Sequence, residues 1–224
     1  MDWKSYPIRK EEVWKAGVNL SLYLALGDSI TAGYGVGTTF SFPSIYAQFL
    51  RRHEPNLLLR NFGVNGLTTG GLLVLLRQNA AVRRYVCQAS LITITVGSND
   101  LLQLLRNSSW SFNPAQLSLT LVSMEKTVSQ IGEEIRRINP KAILKIGTLY
   151  NPLPAGPYAR FSSQAQQIID QVNMMIVAWA NRYGGNVANI NREFRGKEQQ
   201  LIGPDFAHPN VIGYQRIARA FSRA

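Results

Sequence analysis

The sequence predicts a three-layer α/β/α domain built on a five-stranded parallel sheet. Three observations carry this. Five short apolar runs alternate with helical patterns along 224 residues, and no repeat or low-complexity tract interrupts them. Hydrophobic residues make up 46% of the chain, enough for one sizeable core, so residues 1–224 read as a single domain. Polar loops rich in Gly, Asn and Ser follow the apolar runs, where a parallel sheet places its ligands.

Residues 1–19 are polar and mixed, a lead-in segment with Trp3 and Trp14 as anchors. Strand one is 20–26. Ser41 is expected to cap a helix with Pro43 in its first turn. Its apolar residues Phe42, Ile45, Tyr46, Phe49 and Leu50 lie on one helical stripe. Strand two, 57–62, runs through a glycine-punctuated loop into one helix at about 72–88. Strand three is 91–96. A short apolar segment, Leu101 to Leu105, and a polar loop with Trp110 come next.

Asn113-Pro114 opens a long helix. Its Leu117, Leu121, Met124, Val128, Ile131, Ile135 and Ile138 alternate at spacings of four and three, and Asn139-Pro140 ends it. Strand four, 142–150, leads to a proline-stiffened loop, 151–157. A helix at about 158–182 stops at Gly184-Gly185. A short fifth strand, 186–190, precedes a charged loop, 191–204. The last helix is expected to begin at Pro209 and run to about 222.

The charge balance, 24 Lys and Arg against 13 Asp and Glu, is +11. Such a field attracts anionic surfaces, and peripheral contact with anionic lipid is an expectation from it. The basic residues are spread along the chain and not interleaved with aromatics. No zinc-finger or helix-turn-helix spacing appears, so no nucleic-acid partner is expected. Two histidines and one cysteine, far apart in sequence, offer no zinc-ligand set. The first twenty residues lack a signal-peptide core and no apolar run approaches membrane-span length. The expectation is a cytoplasmic or otherwise non-secreted protein.

Chemistry concentrates after the strands. Ser29 stands just past strand one in Gly27-Asp28-Ser29, where a hydroxyl is held out from the sheet. A serine needs a base. His53 lies at the polar end of a helix beside Arg52 and Glu54, a solvated terminus. His208 follows Asp205 by three residues in PDFAHPN, so a short loop lets that carboxylate face the imidazole and fix its tautomer. Asp28 reads as structural, bonding turn amides. An oxyanion needs donors, and the Ser29 amide, the Gly66 amide in NGLTT and the Asn99 side chain are the candidates. Taken singly, Gly66 also reads as a turn glycine, Asn99 as a helix cap, and His208 as part of a helix start.

Together, four blocks at strand ends resemble the SGNH hydrolases of the GDSL lipase/esterase family. They are Gly27-Asp28-Ser29-Ile30, Asn61 to Gly66, Gly97-Ser98-Asn99-Asp100 and Asp205 to Asn210, in the family's order. The resemblance implies a flavodoxin-like fold, with Ser29 as nucleophile, His208 as acid/base and Asp205 as its partner. It implies an oxyanion site of the Ser29 and Gly66 amides with the Asn99 side chain, and no cofactor. Ile30 stands where the family name has Leu. Gly63 is an alternative for the second block, and Gly66 is preferred because Leu-Thr-Thr follows it.

The expected activity is that of a metal-independent carboxylester hydrolase on acyl-ester or lipid substrates, lysophospholipids and thioesters included. Leu101, Leu102, Leu104 and Leu105, with loop 150–160, are the expected acyl wall; the same leucines would also simply pack a helix. Three rival readings are a carbohydrate O-deacetylase of the same fold, a nucleotide-binding domain and a basic module on anionic surfaces. The glycines after strand one are spaced G-x-G-x-G, without a Gly-Lys-Ser/Thr, which disfavours the nucleotide reading.

Overall fold

The computed structural model describes residues 21–107 and 113–224. The lead-in segment and Trp110 lie outside them. Five parallel strands, β1 (Leu22–Gly27), β2 (Leu58–Gly63), β3 (Leu91–Thr95), β4 (Ile143–Gly147) and β5 (Gly185–Ala188), form one sheet in the order β2-β1-β3-β4-β5. This is the flavodoxin-like doubly wound order. β1 has a strand on each side, β2 and β3, so whatever follows it is flanked by the loops that follow both.

Side chains alternate across the strands and feed two cores. Leu22, Leu24 and Leu26 of β1 face one way, with Ile92 and Ile94 of β3 and Leu144 and Ile146 of β4. Against them pack α3 (Thr69–Gln78), α4 (Ala80–Gln88), α6 (Pro114–Ile138) and α7 (Ser162–Tyr183). Tyr23 and Ala25 face the other way, toward α1 (Ser29–Ala32), α2 (Phe42–Leu50), α8 (Ile190–Phe194), α9 (Glu198–Leu201) and α10 (Val211–Arg223). The remaining helix is α5 (Ser98–Asn107). Each fully buried Leu or Ile contributes about 1.5–3 kcal/mol relative to exposure, so the two cores dominate the fold's stability.

Side-chain caps decide the boundaries the sequence reading misplaced. The single helix expected at 72–88 is two, because Asn79 ends α3 and its side chain accepts the Val82 N–H to start α4. The last helix starts at Val211, not Pro209: Asn210 accepts the Gly213 N–H, while Pro209 sits in an antiparallel bridge with Ile202. The charged loop 191–204 holds α8 and α9, the first capped by Asn189 through the Arg192 N–H. Two short 3-10 turns precede α7, which begins at Ser162. Strands four and five both end earlier than expected, at Gly147 and Ala188. Ser41 takes the N-cap position of α2, but its hydroxyl donates to the Thr38 carbonyl.

Two buried polar side chains fasten helices to the sheet. Asn139 ends α6, donates to the carbonyls of Val86 and Ala89 at 2.8 Å each, and accepts the amides of Lys141 and Ala142. Lys145, fully buried on β4, donates to the Tyr46 hydroxyl and to the carbonyls of Phe221 and Ala224. These carbonyls end α10, so an ammonium there meets the negative end of the helix. That bond set holds the C-terminal end of α10 against the sheet.

Candidate active site

Ser29 is the first residue of α1, directly past β1. Asp28 leaves the strand in an extended conformation, and its Oδ1 accepts the Ile30 N–H at 3.0 Å, which starts the helix. The Asp28 N–H donates to the Thr95 carbonyl at 3.0 Å, and the Thr95 hydroxyl donates back to Oδ1 at 3.1 Å. Burial pushes the Asp28 carboxyl up from 3.8 to about 7, against the hydrogen bonds from Ile30 and Thr95 that lower it. Asp28 is therefore a capping group aimed at the turn, as its position in sequence suggests.

The other half comes from the loop between α9 and α10. Asp205 Oδ1 accepts the Ala207 N–H at 3.1 Å and the His208 N–H at 3.0 Å. This turn aims Oδ2 at His208 Nδ1, 2.6 Å away. Between them Phe206 takes φ +56°, a left-handed conformation that costs a bulky residue about 1–2 kcal/mol. Outside bonds hold the loop: Gly203 N–H donates to the His208 carbonyl at 2.7 Å and the Tyr150 hydroxyl to the Ala207 carbonyl at 2.7 Å. Burial acts to raise the Asp205 carboxyl. The His208 amide and ring and the Ala207 amide outweigh it and hold the group below its usual value.

His208 Nε2 lies 2.9 Å from Ser29 Oγ, across 179 positions of sequence. An ionised Asp205 puts the ring proton on Nδ1, which leaves the Nε2 lone pair facing the serine hydroxyl. That arrangement can take a proton from the hydroxyl as it attacks a carbonyl. Ser29 is 8% exposed, so the hydroxyl works in a partly desolvated setting.

Gly66, in the loop after β2, and Asn99, in the first turn of α5 after β3, come from either side of Ser29. The choice between Gly63 and Gly66 has a steric basis. A Cβ on Gly63 would lie 2.2 Å from the Ala32 amide nitrogen, so Gly63 is a packing glycine between β2 and α1. Gly66 has φ +78° and open space around it. Neither its amide nor that of Ser29 donates to an acceptor among the described residues. The Asn99 side-chain amide donates one N–H to the Leu67 carbonyl at 3.0 Å, which leaves its second N–H. Next to it Asp100 accepts the Thr69 amide at 3.0 Å and the Thr69 hydroxyl at 2.6 Å. Two adjacent side chains thus tie the Gly66 loop to the start of α5. Leu101, one of the leucines expected to form an acyl wall, is partly buried and packs against the core.

Sequence reasoning missed Tyr34, Tyr150, Tyr214 and the Asp100–Thr69 link. Tyr34 had one visible signal, an aromatic inside the Gly-rich segment that follows Ser29. The others are helix or strand-end residues without a distinguishing pattern.

Fold and site define a class: a doubly wound α/β protein with a serine–imidazole–carboxylate line at the carboxyl rim of its sheet. The chain belongs to the GDSL-like lipase/acylhydrolase family, whose sequence profile matches residues 25–216. It is 27% identical over 210 residues to the spore germination lipase LipC of Bacillus licheniformis, covering 90% of this chain and 95% of that one. Among solved structures it is similar to the lipase Lip_vut3 from a goat rumen metagenome, 25% identical with TM-score 0.72, covering 90% and 95% of the two chains. The extracellular lipase of Streptomyces rimosus, 18% identical with TM-score 0.71, covers 90% and 98% and shares the fold. The family is one of hydrolases, so the chain is an esterase- or lipase-type hydrolase.

Proposed function

We propose that the protein is a metal-independent carboxylester hydrolase that works through an acyl-enzyme on Ser29. The observation that carries this is the continuous line from Asp205 Oδ2 to His208 Nδ1, 2.6 Å, and from His208 Nε2 to Ser29 Oγ, 2.9 Å. Ser29 Oγ attacks the ester carbonyl carbon as His208 takes its proton, and the carbonyl π electrons move to oxygen. Collapse breaks the bond to the leaving alcohol, which receives the proton from His208. Water then attacks the acyl-enzyme, again giving its proton to His208, and the second collapse releases the acid and restores Ser29.

The transient oxyanion is received by the Ser29 and Gly66 amides and the second N–H of Asn99. Support for this role is that both amides are otherwise unengaged and that the Asn99 side chain is held by Leu67. Asp205 keeps the imidazole in the productive tautomer.

The substrate class is an acyl ester with an apolar acyl group. The lipase names of the similar proteins favour it, as do half-exposed Tyr34, Val64, Tyr158 and Phe206 on loops at the carboxyl end of the sheet. The test is a series of p-nitrophenyl esters of increasing acyl length, run on the parent and on Ser29→Ala. Turnover of esters that vanishes in Ser29→Ala is expected. Equal turnover by both proteins, or none of any ester by a folded parent, would refute the proposal.

A further inference from the structure

The ring of Tyr34 lies on the imidazole of His208, with centroids 4.3 Å apart and planes at 38°. The residue is 46% exposed, yet its backbone is held at both ends. Its N–H donates to the Ser29 carbonyl at 3.0 Å, and its carbonyl accepts the Tyr214 hydroxyl at 3.0 Å. The same hydroxyl, on the buried face of α10, reaches the Ser29 carbonyl at 3.5 Å. Hence one side chain of α10 joins the nucleophile turn to the Tyr34 backbone, and the Tyr34 ring joins that turn to the imidazole. A half-exposed aromatic is not held there by burial. Its placement is fixed by the backbone that also fixes Ser29.

We propose that Tyr34 is a positioning residue that acts through His208: its ring face supports the imidazolium formed when Nε2 takes the Ser29 proton. The inference rests on the acyl-enzyme reading above. An aromatic face attracts a cation through its quadrupole and a neutral ring far less, so the contact is stronger in the charged state. That is the difference a transition state uses. The ring also blocks one face of the imidazole from water, which keeps Nε2 turned toward Ser29.

The other groups that face His208 are Asp205 at Nδ1 and Ser29 at Nε2. Tyr150 bonds the Ala207 carbonyl from the strand-four end, while Asp28 and Tyr214 lie behind the nucleophile turn. All of these stay in place when only residue 34 changes, so a difference between variants at that position reports the ring.

The experiment is an NMR pH titration of the histidine ring carbon-bound protons. His53→Gln assigns the two signals, since the chain has only two histidines. In Tyr34→Leu the His208 midpoint should fall by about 0.4–0.7 pH unit, which corresponds to a cation–π contact of about 0.5–1 kcal/mol. Tyr34→Phe should stay at the parent value and Tyr34→Trp should move upward. With an ester substrate, Tyr34→Leu should lose about 2–5-fold in kcat with KM unchanged, and the acid limb of kcat/KM should move down in pH with the NMR midpoint. A Tyr34→Leu midpoint equal to the parent's, or an equal shift in Tyr34→Phe, overturns the proposal. The titration needs no substrate, so a protein that cleaved no ester would sink the acyl-enzyme reading and leave this result readable.

Discussion

Replacing Asp28 with Asn removes an ionisable group buried under the nucleophile turn and keeps the acceptor that starts α1. Asp28 is 1% exposed, and burial pushes its carboxyl from 3.8 to about 7. In the unfolded chain the group releases its proton near 3.8; in the folded protein it holds the proton to about 7. Between these values the folded state binds more protons. The stabilisation is fully present below pH 3.8 and is lost as the pH rises to about 7, where it levels off. At about 1.4 kcal/mol per unit, the loss of stability amounts to about 4 kcal/mol. Asn is as good an N-cap as Asp and cannot ionise, so Asp28→Asn should lack this decline. The assay is urea unfolding of both proteins at intervals from pH 4.5 to 8.5. Asp205, held low against burial by the His208 and Ala207 amides and the imidazole, titrates in both and cancels in the difference, while the Asp100 charge adds a smaller push on Asp28 that only the parent feels. The Asn variant should gain on the parent steadily up to pH 7 and by a constant amount beyond. Parallel curves for the two proteins would refute the reasoning.

Four further outcomes follow from the same contacts. Asp205→Asn cannot hold the Nδ1–H tautomer as a carboxylate does, and kcat should fall by about 10⁴ with the fold intact by circular dichroism. Asn99→Ala removes a charge-stabilising donor and should lower kcat by about 10²–10³ with little change in KM, measured on a soluble acetate ester. Gly63→Ala places a methyl group against the Ala32 backbone and should destabilise the protein by about 3 kcal/mol in urea. Gly66→Ala meets only its own positive φ, about 1–2 kcal/mol.

The five strands and their order of appearance were legible because each is a short apolar run closed by a turn residue. Ser29 was legible because it stands next to such an end, and Asp205 with His208 because their three-residue spacing sits in a short turn before the last helix. What could not be read is what depends on a single hydrogen bond. Asn79 divides an apolar helical pattern only because its side chain turns back to Val82, and the pattern itself is continuous across it. His208-Pro209-Asn210 carries two start signals, a proline for the first turn and an asparagine for the cap. The bridge between Pro209 and Ile202 decides for the asparagine. Tyr34 and His208 meet through the closure of the whole sheet, and no periodicity in either segment encodes that contact. Lys145 reads as a charge in a buried strand, and its partners at the end of α10 appear only after folding.

The most direct measurement on Ser29 is the mass of the intact protein after brief exposure to a fluorophosphonate ester, followed by mapping of the labelled peptide. An activated serine alcohol displaces fluoride from phosphorus and keeps the phosphonyl group. One adduct per chain, located on Ser29, lost in Ser29→Ala and strongly slowed in His208→Ala, is the result this account predicts. An adduct on another residue, or a parent protein that hydrolyses esters while Ser29 stays unlabelled, would contradict it.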